Sequence, residues 1–401
     1  MTLPPALTHA PFRAYLAGNF FGLMGMWMLR IALGWLAWET TGSAAWTGAV
    51  AFLNFAPTIV AGPLFGVAAD RIDPRQGMMA TQTGQALFGA ALFAMAALES
   101  VTLAGLCAVA LGSGLAASAY HPMRMALAPR LVPAEDLPQA VAMTAINFNS
   151  TRMLGPALGG WLIATQGAAS AVGLAVCLFA PQLGALASLP AQPPAPRANA
   201  NGAKGLRLFG AELADGARHV AAHPRIAEAV LISGLFALVG RGALELLPVA
   251  ADGMFGRGAA GLGALTAAAG AGAILASLWL ARGRAEVETM QRRQRFGAFA
   301  GLGLALGLAM APSWGMALAA VAGLGLFGTV VGVSSQSIAQ TETPDGRRGR
   351  VMSLWILVGI GGAAVGAISL GAAADWVGFE RAVAWGAAGT AAALLVVRAR
   401  A

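Results

Sequence analysis

The sequence predicts an all-α membrane protein with twelve transmembrane helices in two pseudo-symmetric six-helix bundles. Three observations indicate this fold class. Of the 401 residues, 58% are hydrophobic and only 10% are charged, and the mean hydropathy is +0.70, whereas about 25% of an ordinary soluble protein is charged. The apolar residues form runs of about 20 or more, the length that a helix needs to cross a bilayer. The two halves of the chain also share a series of landmarks.

The first half contains six predicted spans. They cover residues 12–40, 44–69, 76–98, 101–128, 138–165 and 168–189. Pro74 separates the second span from the third, because proline lacks a backbone N–H and disfavours helix at the preceding Asp73. The first apolar run has no basic leader and is longer than a signal sequence needs, so we expect a retained span.

A change of composition separates the two halves. Residues 191–205 are rich in proline, alanine and asparagine, which predicts a flexible linker. Residues 206–223 interleave apolar and charged side chains, a pattern typical of a helix that lies in the membrane interface. We therefore expect an N-terminal bundle at 1–190, a cytoplasmic linker with an interfacial helix at 191–223, and a C-terminal bundle at 224–401.

The second half repeats the organisation of the first. Its predicted spans cover residues 224–250, 259–281, 293–311, 313–341, 351–374 and 378–397. An offset of 211 residues superposes Arg30 on Arg241, Arg71 on Arg282, Pro133 on Pro344, Gly155 on Gly366, and Gly160 on Gly371. One offset for five landmarks favours duplication, and parallel repeats with a site between them are a transporter architecture. The alternative is chance matching in a chain rich in alanine and glycine.

The distribution of basic residues predicts the orientation. With both termini in the cytoplasm, 20 of the 25 lysines and arginines fall on the cytoplasmic side, as the positive-inside bias requires. Only Arg257 and Arg381 fall outside, while Arg30, Arg152 and Arg241 fall within spans. The net charge of +8 is thus spread over short loops, and the compact basic patch that would indicate nucleic-acid binding is absent. We expect a multi-pass protein of a bacterial-type cytoplasmic (inner) membrane.

Polar side chains within the spans are the candidates for function, because a charge at the centre of a span costs at least about 2.5–3.5 kcal/mol. We predict a substrate and ion pathway formed by Asn19, Arg30, Asn149, Arg152, Arg241 and Glu245. Asn19 and Arg30 are expected to share a face of the first span. Glu245 is expected to be the only acid in the hydrocarbon and a proton carrier balanced by Arg241. The structural alternatives are a fixed ion pair for Glu245 and hydrogen bonding to carbonyls for the arginines.

The connection between the second and third spans carries a family motif. Residues 62–75 read GPLFGVAADRIDPR, and the pattern GxxxDRxxxR resembles the same loop of major facilitator superfamily transporters. The match consists of Gly66, Asp70, Arg71 and Arg75. This resemblance implies a gating loop in which Asp70 faces the start of the eleventh span. The alternative is a simple turn whose charges serve orientation.

The fifth span carries a second motif. Residues 151–160 read TRMLGPALGG and resemble the GxxxGPxxGG motif of the exporter branch of this superfamily. Gly155, Pro156, Gly159 and Gly160 match, while Thr151 replaces the first glycine. The glycines also predict a small-residue face that a neighbouring helix can approach closely, so ordinary helix packing is the alternative to an antiport-specific role.

Segments spread over most of the chain resemble a narrower group, the enterobactin exporter and related small-molecule efflux proteins. They include HAPFRAYLAGNF, WMLRIALGW and QTETPDGRRGRVMSLW. The resemblance implies a secondary active transporter that exports a small amphipathic molecule, drug-like or siderophore-like, by alternating access in exchange for protons. The fourth span lacks the arginine that many proton-driven members carry. Alternatives are a lipid or lysophospholipid flippase, a solute importer, and a receptor that transports nothing.

Other chemistry has little support in the sequence. No P-loop, HExxH or GxSxG motif occurs, so we expect neither an enzyme nor a cofactor. His219 and His223 are spaced i,i+4 but have no third partner, so no metal is expected. Cys107 and Cys177 lie in apolar runs and predict no disulfide. The expected partners are a small-molecule substrate, protons and the lipid bilayer, with no nucleic acid, and the expected state is a monomer.

Overall fold

The computed structural model describes residues 4–69, 72–192, 205–282 and 286–400. Every regular element in these ranges is a helix, which confirms the all-α class. The α-helices are α1 (Ala10–Thr41), α2 (Ala44–Ala69), α3 (Pro74–Ala97), α4 (Leu103–Leu127), α5 (Leu137–Gln166), α6 (Ala168–Cys177), α7 (Phe179–Ser188), α8 (Gly205–Ala222), α9 (Pro224–Phe236), α10 (Gly242–Glu245), α11 (Gly258–Leu280), α12 (Val287–Ala309), α13 (Trp314–Thr341), α14 (Asp345–Val377) and α15 (Phe379–Arg400).

Most of these helices can cross a membrane. In the described part of the chain, nine helical segments are both long enough and apolar enough. Helices α3, α5 and α12 are more polar, but with 24, 30 and 23 residues they also have the length to cross, since about 20 residues span the hydrocarbon. The helices are therefore consistent with the predicted twelve spans.

Two of the predicted spans are interrupted, and proline lies beside the break in the sixth and beside one of the two irregular turns in the seventh. The sixth breaks at Leu178, between α6 and α7, where Pro181 cannot donate the helical hydrogen bond to the carbonyl four residues earlier. The seventh contains two π-helical turns, Ala237–Arg241 and Val249–Met254. Pro248 directly precedes the second of these turns. The span that carries Arg241 is thus not a regular α-helix.

The chain divides into two compact units. Unit 1 comprises Met1–Leu36 and Ala56–Gly205, and unit 2 comprises Ala37–Phe55 and Leu206–Ala401. The division therefore places the end of α1 and the first half of α2 with the second half of the chain. The domain boundaries at 190 and 223 stay a prediction.

Hydrogen bonds within unit 2 hold the first part of α2 in place. Asp375 of α14 accepts hydrogen bonds from the backbone N–H of Ala44 at 2.7 Å and from the hydroxyl of Ser43 at 2.5 Å. A carboxylate stabilises a helix N-terminus because the first backbone N–H groups there have no helical partner. The indole N–H of Trp38 donates to Asp252 at 2.9 Å. These contacts explain why the segment belongs to unit 2.

The backbone shows the internal repeat that the 211-residue offset predicts. Gly167 follows α5 with φ 85° and ψ 165°, and Gly378, 211 residues later, follows α14 with φ 87° and ψ 152°. A positive φ favours glycine, since other residues meet a steric penalty there. The two turns therefore have nearly the same conformation at equivalent places in the two halves.

Two close helix contacts are also equivalent. A Cβ atom on Gly155 would lie 2.7 Å from Cβ of Trp27, and one on Gly366 would lie 1.9 Å from the carbonyl oxygen of Leu238. Leu238 follows Trp27 by 211 residues, as Gly366 follows Gly155. In each unit, a glycine of α5 or α14 thus lies against an equivalent residue, Trp27 or Leu238. That residue comes three positions before Arg30 in unit 1 and three positions before Arg241 in unit 2.

We expect Gly366→Ala to lower the thermal unfolding temperature of the detergent-purified protein. The added methyl group collides with backbone, so α14 must move away at a cost of about 1–3 kcal/mol. Gly389→Ala is the matched control, because a Cβ atom there meets nothing within 4 Å. That control should be neutral or slightly stabilising, since alanine favours helix by up to about 1 kcal/mol. Equal melting temperatures for the two variants would contradict the proposed close approach.

Candidate functional site

In unit 1, a row of two aromatic side chains between two arginines crosses three helices. The guanidinium carbon of Arg30 lies 5.6 Å from the ring centroid of Trp27. The Trp27 ring meets Phe148 of α5 edge-on at 5.8 Å, and the guanidinium carbon of Arg124 on α4 lies 5.3 Å from the Phe148 ring. All four residues are partly buried. The row combines apolar ring surface with positive charge at both ends, which suits an amphipathic anion.

Asn19 lies in a different environment from Arg30. Its side chain is fully buried, and its Oδ1 atom accepts hydrogen bonds from the Tyr120 hydroxyl at 2.5 Å and from Nε2 of Gln182 at 3.3 Å. Eleven residues of helix separate Asn19 from Arg30, or about 16 Å at 1.5 Å per residue. Asn19 therefore joins a buried network of α1, α4 and α7, while Arg30 belongs to the row.

Helix α5 places its predicted polar residues beside its glycine motif. Asn149 is partly buried and donates from Nδ2 to the carbonyl oxygen of Ala145 at 3.0 Å. Arg152 is also partly buried and lies three residues before Gly155. A Cβ atom on Gly159 would come within 2.9 Å of Ile31 on α1. The described motif residues that are buried beside this contact are Gly155, Pro156, Gly159 and Gly160. The motif thus supports close packing of α5 on α1.

In unit 2, Arg241 is the last residue of the π-helical turn Ala237–Arg241. π-Helical turns are rare in proteins, and those that occur often lie at functional sites. A Cβ atom on Gly332 of α13 would lie 3.1 Å from Nη2 of Arg241, and one on Gly359 of α14 would lie 4.0 Å from Nη1. The guanidinium therefore lies against two helices at places where glycine leaves room for it.

Glu245 and a hydrogen-bonded tryptophan accompany Arg241. Glu245 ends α10 and is partly buried, and its charge acts on Arg241. On the neighbouring helices, the indole N–H of Trp355 donates to the hydroxyl of Ser335 at 2.9 Å. The Ser335 side chain is fully buried. This part of unit 2 thus combines a cation, an acid and a polar aromatic side chain, a combination able to bind an anionic amphipathic molecule.

A second acid of the predicted seventh span, Glu228, is buried in the protein. Glu228 is 5% exposed and receives two hydrogen bonds from Arg295 of α12, one from Nε and one from Nη2 at 2.7 Å. Gln291 donates to the same carboxylate at 3.2 Å. Helix α12 begins at Val287, six residues before the predicted start of the ninth span, so Arg295 lies further inside the helix than predicted. A bidentate ion pair of this kind is a strong, geometrically specific contact, which suits fixation of α9 on α12 better than proton transfer.

The structure gives Arg75 a specific role near the predicted gating loop. Its Nε atom donates to the carbonyl oxygen of Leu186 at 2.7 Å, and Nη2 donates to that of Ala187 at 2.8 Å. These carbonyls belong to the last turn of α7, where helical partners are missing, so Arg75 caps that helix. Gly66 lies in α2. The predicted residues Asp70 and Arg71 lie outside the described ranges.

Helix α8, predicted as interfacial, packs on the beginning of α14. Nη1 of Arg350 donates to Asp215 at 2.6 Å, and a Cβ atom on Gly216 would lie 3.1 Å from the carbonyl oxygen of Arg350. Nη1 of Arg347 lies 3.1 Å from Nδ1 of His219. Since an arginine can only donate, His219 accepts at Nδ1 and is neutral. The linker helix is thus joined to the eleventh predicted span.

The charges around α8 shift two pKa values. Burial lowers the pKa of His219, and electrostatic interactions with His223 and Arg347 act in the same direction, whereas Asp215 opposes them. The hydrogen bond from Arg350 is the main cause that lowers the pKa of Asp215. The His219 and His223 rings lie 4.0 Å apart. In the part of the chain that the structure describes, no group of three or more histidine, cysteine or acidic side chains could hold a metal ion.

Comparison with known proteins identifies relatives over nearly the whole chain. The profile of a family described as transmembrane secretion effectors matches residues 2–400. The enterobactin exporter EntS of Escherichia coli is 30% identical over 371 residues, which are 91% of this chain and 85% of that protein. EntS of Shigella boydii is 29% identical with the same coverage.

Solved structures of transporters share the fold. The nucleoside transporter NupG superposes with a TM-score of 0.73 at 14% identity and covers 97% of this chain and 98% of its own. A bacterial homologue of the iron transporter ferroportin superposes with a TM-score of 0.68 at 15% identity and covers 96% of this chain and 97% of its own. At such low identity, the likeness is one of fold alone.

We expect the contact between α8 and α14 to weaken as the pH falls below about 6.5, the ordinary pKa of histidine. The pKa of His219 is lowered in the docked state, so the undocked helix binds the proton more readily and acid favours release. A spin label on Ala217→Cys, with Cys107 and Cys177 replaced by serine, should report a larger mobile fraction at about pH 5.5 than at about pH 7.5.

His219→Gln is the control for this titration, because glutamine keeps an acceptor for Arg347 but cannot be protonated. Its spectrum should be the same at both pH values. A spectrum of the His219 protein that does not change with pH would show that His219 has no part in the docking.

Proposed function

Because the chain belongs to the transmembrane secretion effector family of the major facilitator superfamily, we propose that it exports a small amphipathic anion from the cytoplasm by proton-coupled alternating access. The transport class, the small-molecule substrate and the membrane location follow from the family. The charge of the substrate, the coupling ion and the mechanism are the proposal. The substrate crosses chemically unchanged.

The position of Arg241 carries the proposal. This arginine ends a π-helical turn and lies against Gly332 and Gly359 of two other helices. Its equivalent in the first half, Arg30, adjoins the Trp27 ring at 5.6 Å. A guanidinium binds carboxylate or phenolate oxygens through paired N–H groups. Each half therefore carries an arginine at the same repeat position.

The aromatic residues favour an amphipathic substrate. Trp27 and Phe148 present ring surface between two arginines in unit 1, and Trp355 stands near the α13 contact in unit 2. Flat apolar side chains of this kind form adaptable walls for molecules with an aromatic body. The relatives are exporters of enterobactin, and a siderophore-like or drug-like anion of similar character is the proposed substrate of this chain.

Glu245 is the proposed proton carrier. It is an acid of the seventh span that is partly buried and within electrostatic reach of Arg241, whereas Glu228 is committed to Arg295. Glu245 and a substrate anion would compete for Arg241, so anion binding is linked to the protonation state of Glu245. The remaining predicted pathway residues, Asn149 and Arg152, stay proposals.

Orientation and gating complete the proposal. Both termini lie in the cytoplasm of a bacterial-type cell, and the protein functions in the inner membrane as a monomer. The loop that includes Gly66, Asp70, Arg71 and Arg75 is the proposed cytoplasmic gate. The hydrogen bonds from Arg75 to Leu186 and Ala187 support this, since they join the start of α3 to the end of α7.

We expect Glu245→Gln to abolish transport driven by a pH gradient and to retain exchange of substrate between two equal pools. Glutamine keeps the shape of the side chain but carries no titratable proton, so the coupling step fails while the substrate path remains. Proteoliposomes tested with siderophores, anionic dyes and labelled lysolipids under an imposed gradient measure both activities.

Glu286→Gln, which removes an exposed acid at the N-terminus of α12, should behave like the wild type. Full gradient-driven transport by Glu245→Gln would refute the proton assignment. Movement of lysolipids without movement of siderophores or dyes would favour a flippase, and binding without flux would favour a receptor.

A further inference from the structure

An apolar groove lies on unit 2 where α11 ends and α12 begins. Its volume is about 240 Å³. Trp279 closes one side and is 47% exposed, and Phe296 is 66% exposed and meets Phe327 of α13 edge-on at 5.7 Å. The residues that line the groove are Trp279, Arg293, Phe296, Leu326, Phe327 and Val330. These side chains belong to α11, α12 and α13, which have 23, 23 and 28 residues and are long enough to cross a membrane.

One cation stands at the rim of this groove. The guanidinium carbon of Arg293 lies 4.7 Å from the ring centroid of Trp279. Arg293 comes six residues after the start of α12, or about 9 Å along the helix, so its long side chain can extend to the membrane surface. Tryptophan is enriched at that depth. The pair therefore marks the level of the lipid headgroups.

Among the charged residues that the structure describes near the groove, Arg293 is the cation that lines it. Arg295 is occupied by Glu228, and Arg292 is exposed and does not line the groove. Arg282 is also exposed. So are Glu286, the residue before α12, and Glu288 in the first turn of that helix. None of these four exposed groups is among the groove's lining residues.

We propose that this groove binds one anionic phospholipid, with an acyl chain against Phe296 and Leu326 and the phosphate on Arg293. A guanidinium pairs with phosphate oxygens through two N–H groups, and basic pockets between transmembrane helices are suited to anionic headgroups. The groove has the apolar lining for a chain and the cation for a headgroup at one end. None of the predicted pathway residues lines the groove, so the lipid site is separate from the proposed substrate pathway.

The test is native mass spectrometry of the purified protein titrated with phosphatidylglycerol or phosphatidylcholine of the same chain length. The wild type should prefer phosphatidylglycerol, and Arg293→Gln should weaken its binding about fivefold, the contribution of one basic residue near an anionic headgroup. Arg292→Gln makes the same charge change one residue earlier and should leave binding unchanged. Equal losses in the two variants would overturn the site, because they would indicate diffuse attraction.

Two further arms separate a lipid from other occupants. Leu326→Trp narrows the groove, so it should weaken the binding of long-chain phosphatidylglycerol more than the binding of a short-chain form. Glycerol phosphate should not displace the lipid when present at the same concentration. Displacement by glycerol phosphate with no effect of chain length would show a free-anion site, and a dimer that excludes lipid would show that a second copy occupies the groove. Either result would contradict the proposal.

Discussion

The contact between Gly366 and Leu238 is the constraint that places the candidate site in unit 2. The two helices are so close here that position 366 of α14 has no room for a side chain, since a Cβ atom there would meet the Leu238 carbonyl oxygen at 1.9 Å. Leu238 lies within the same π-helical turn that ends at Arg241. Packing of backbone on backbone therefore fixes the turn, and the turn directs the arginine toward α13 and α14. Gly155 and Trp27 make the corresponding contact in unit 1, three residues before Arg30.

Arginines inside membrane-crossing helices need compensation, since burial of an isolated charge is costly. The chain meets this need in three ways. Aromatic rings face Arg30 and Arg124, a bidentate carboxylate holds Arg295, and the acid four residues away acts on Arg241. The second arrangement is closed and suits stability. The residues of the first and third arrangements are partly buried, and the proposed function assigns these arrangements to recognition of a substrate anion.

The sequence predicted the fold because its signals are local. Runs of apolar residues give the helices, Pro74 marks a helix start, and the 211-residue offset locates Gly167 and Gly378 at equivalent turns. The site was less predictable, because its contacts join residues far apart in the chain. The partner of Asn19 lies 101 residues away, that of Arg75 lies 111 away, and that of Glu228 lies 67 away. Pro181 and Pro248 were the one local signal in the sequence that the sixth and seventh spans are interrupted.

The most direct measurement is equilibrium binding of one anionic substrate and its neutral methyl ester to the wild type, Arg241→Gln and Arg257→Gln. Arg257 is exposed and lies over the Trp314 ring, so its replacement removes the same charge outside the candidate site. If Arg241 recognises the anion, Arg241→Gln should weaken binding of the anion about 10-fold to 100-fold and leave binding of the ester unchanged. This factor corresponds to the loss of one charge-assisted hydrogen bond. Equal weakening of anion and ester, or an equal effect of Arg257→Gln, would contradict anion recognition by Arg241.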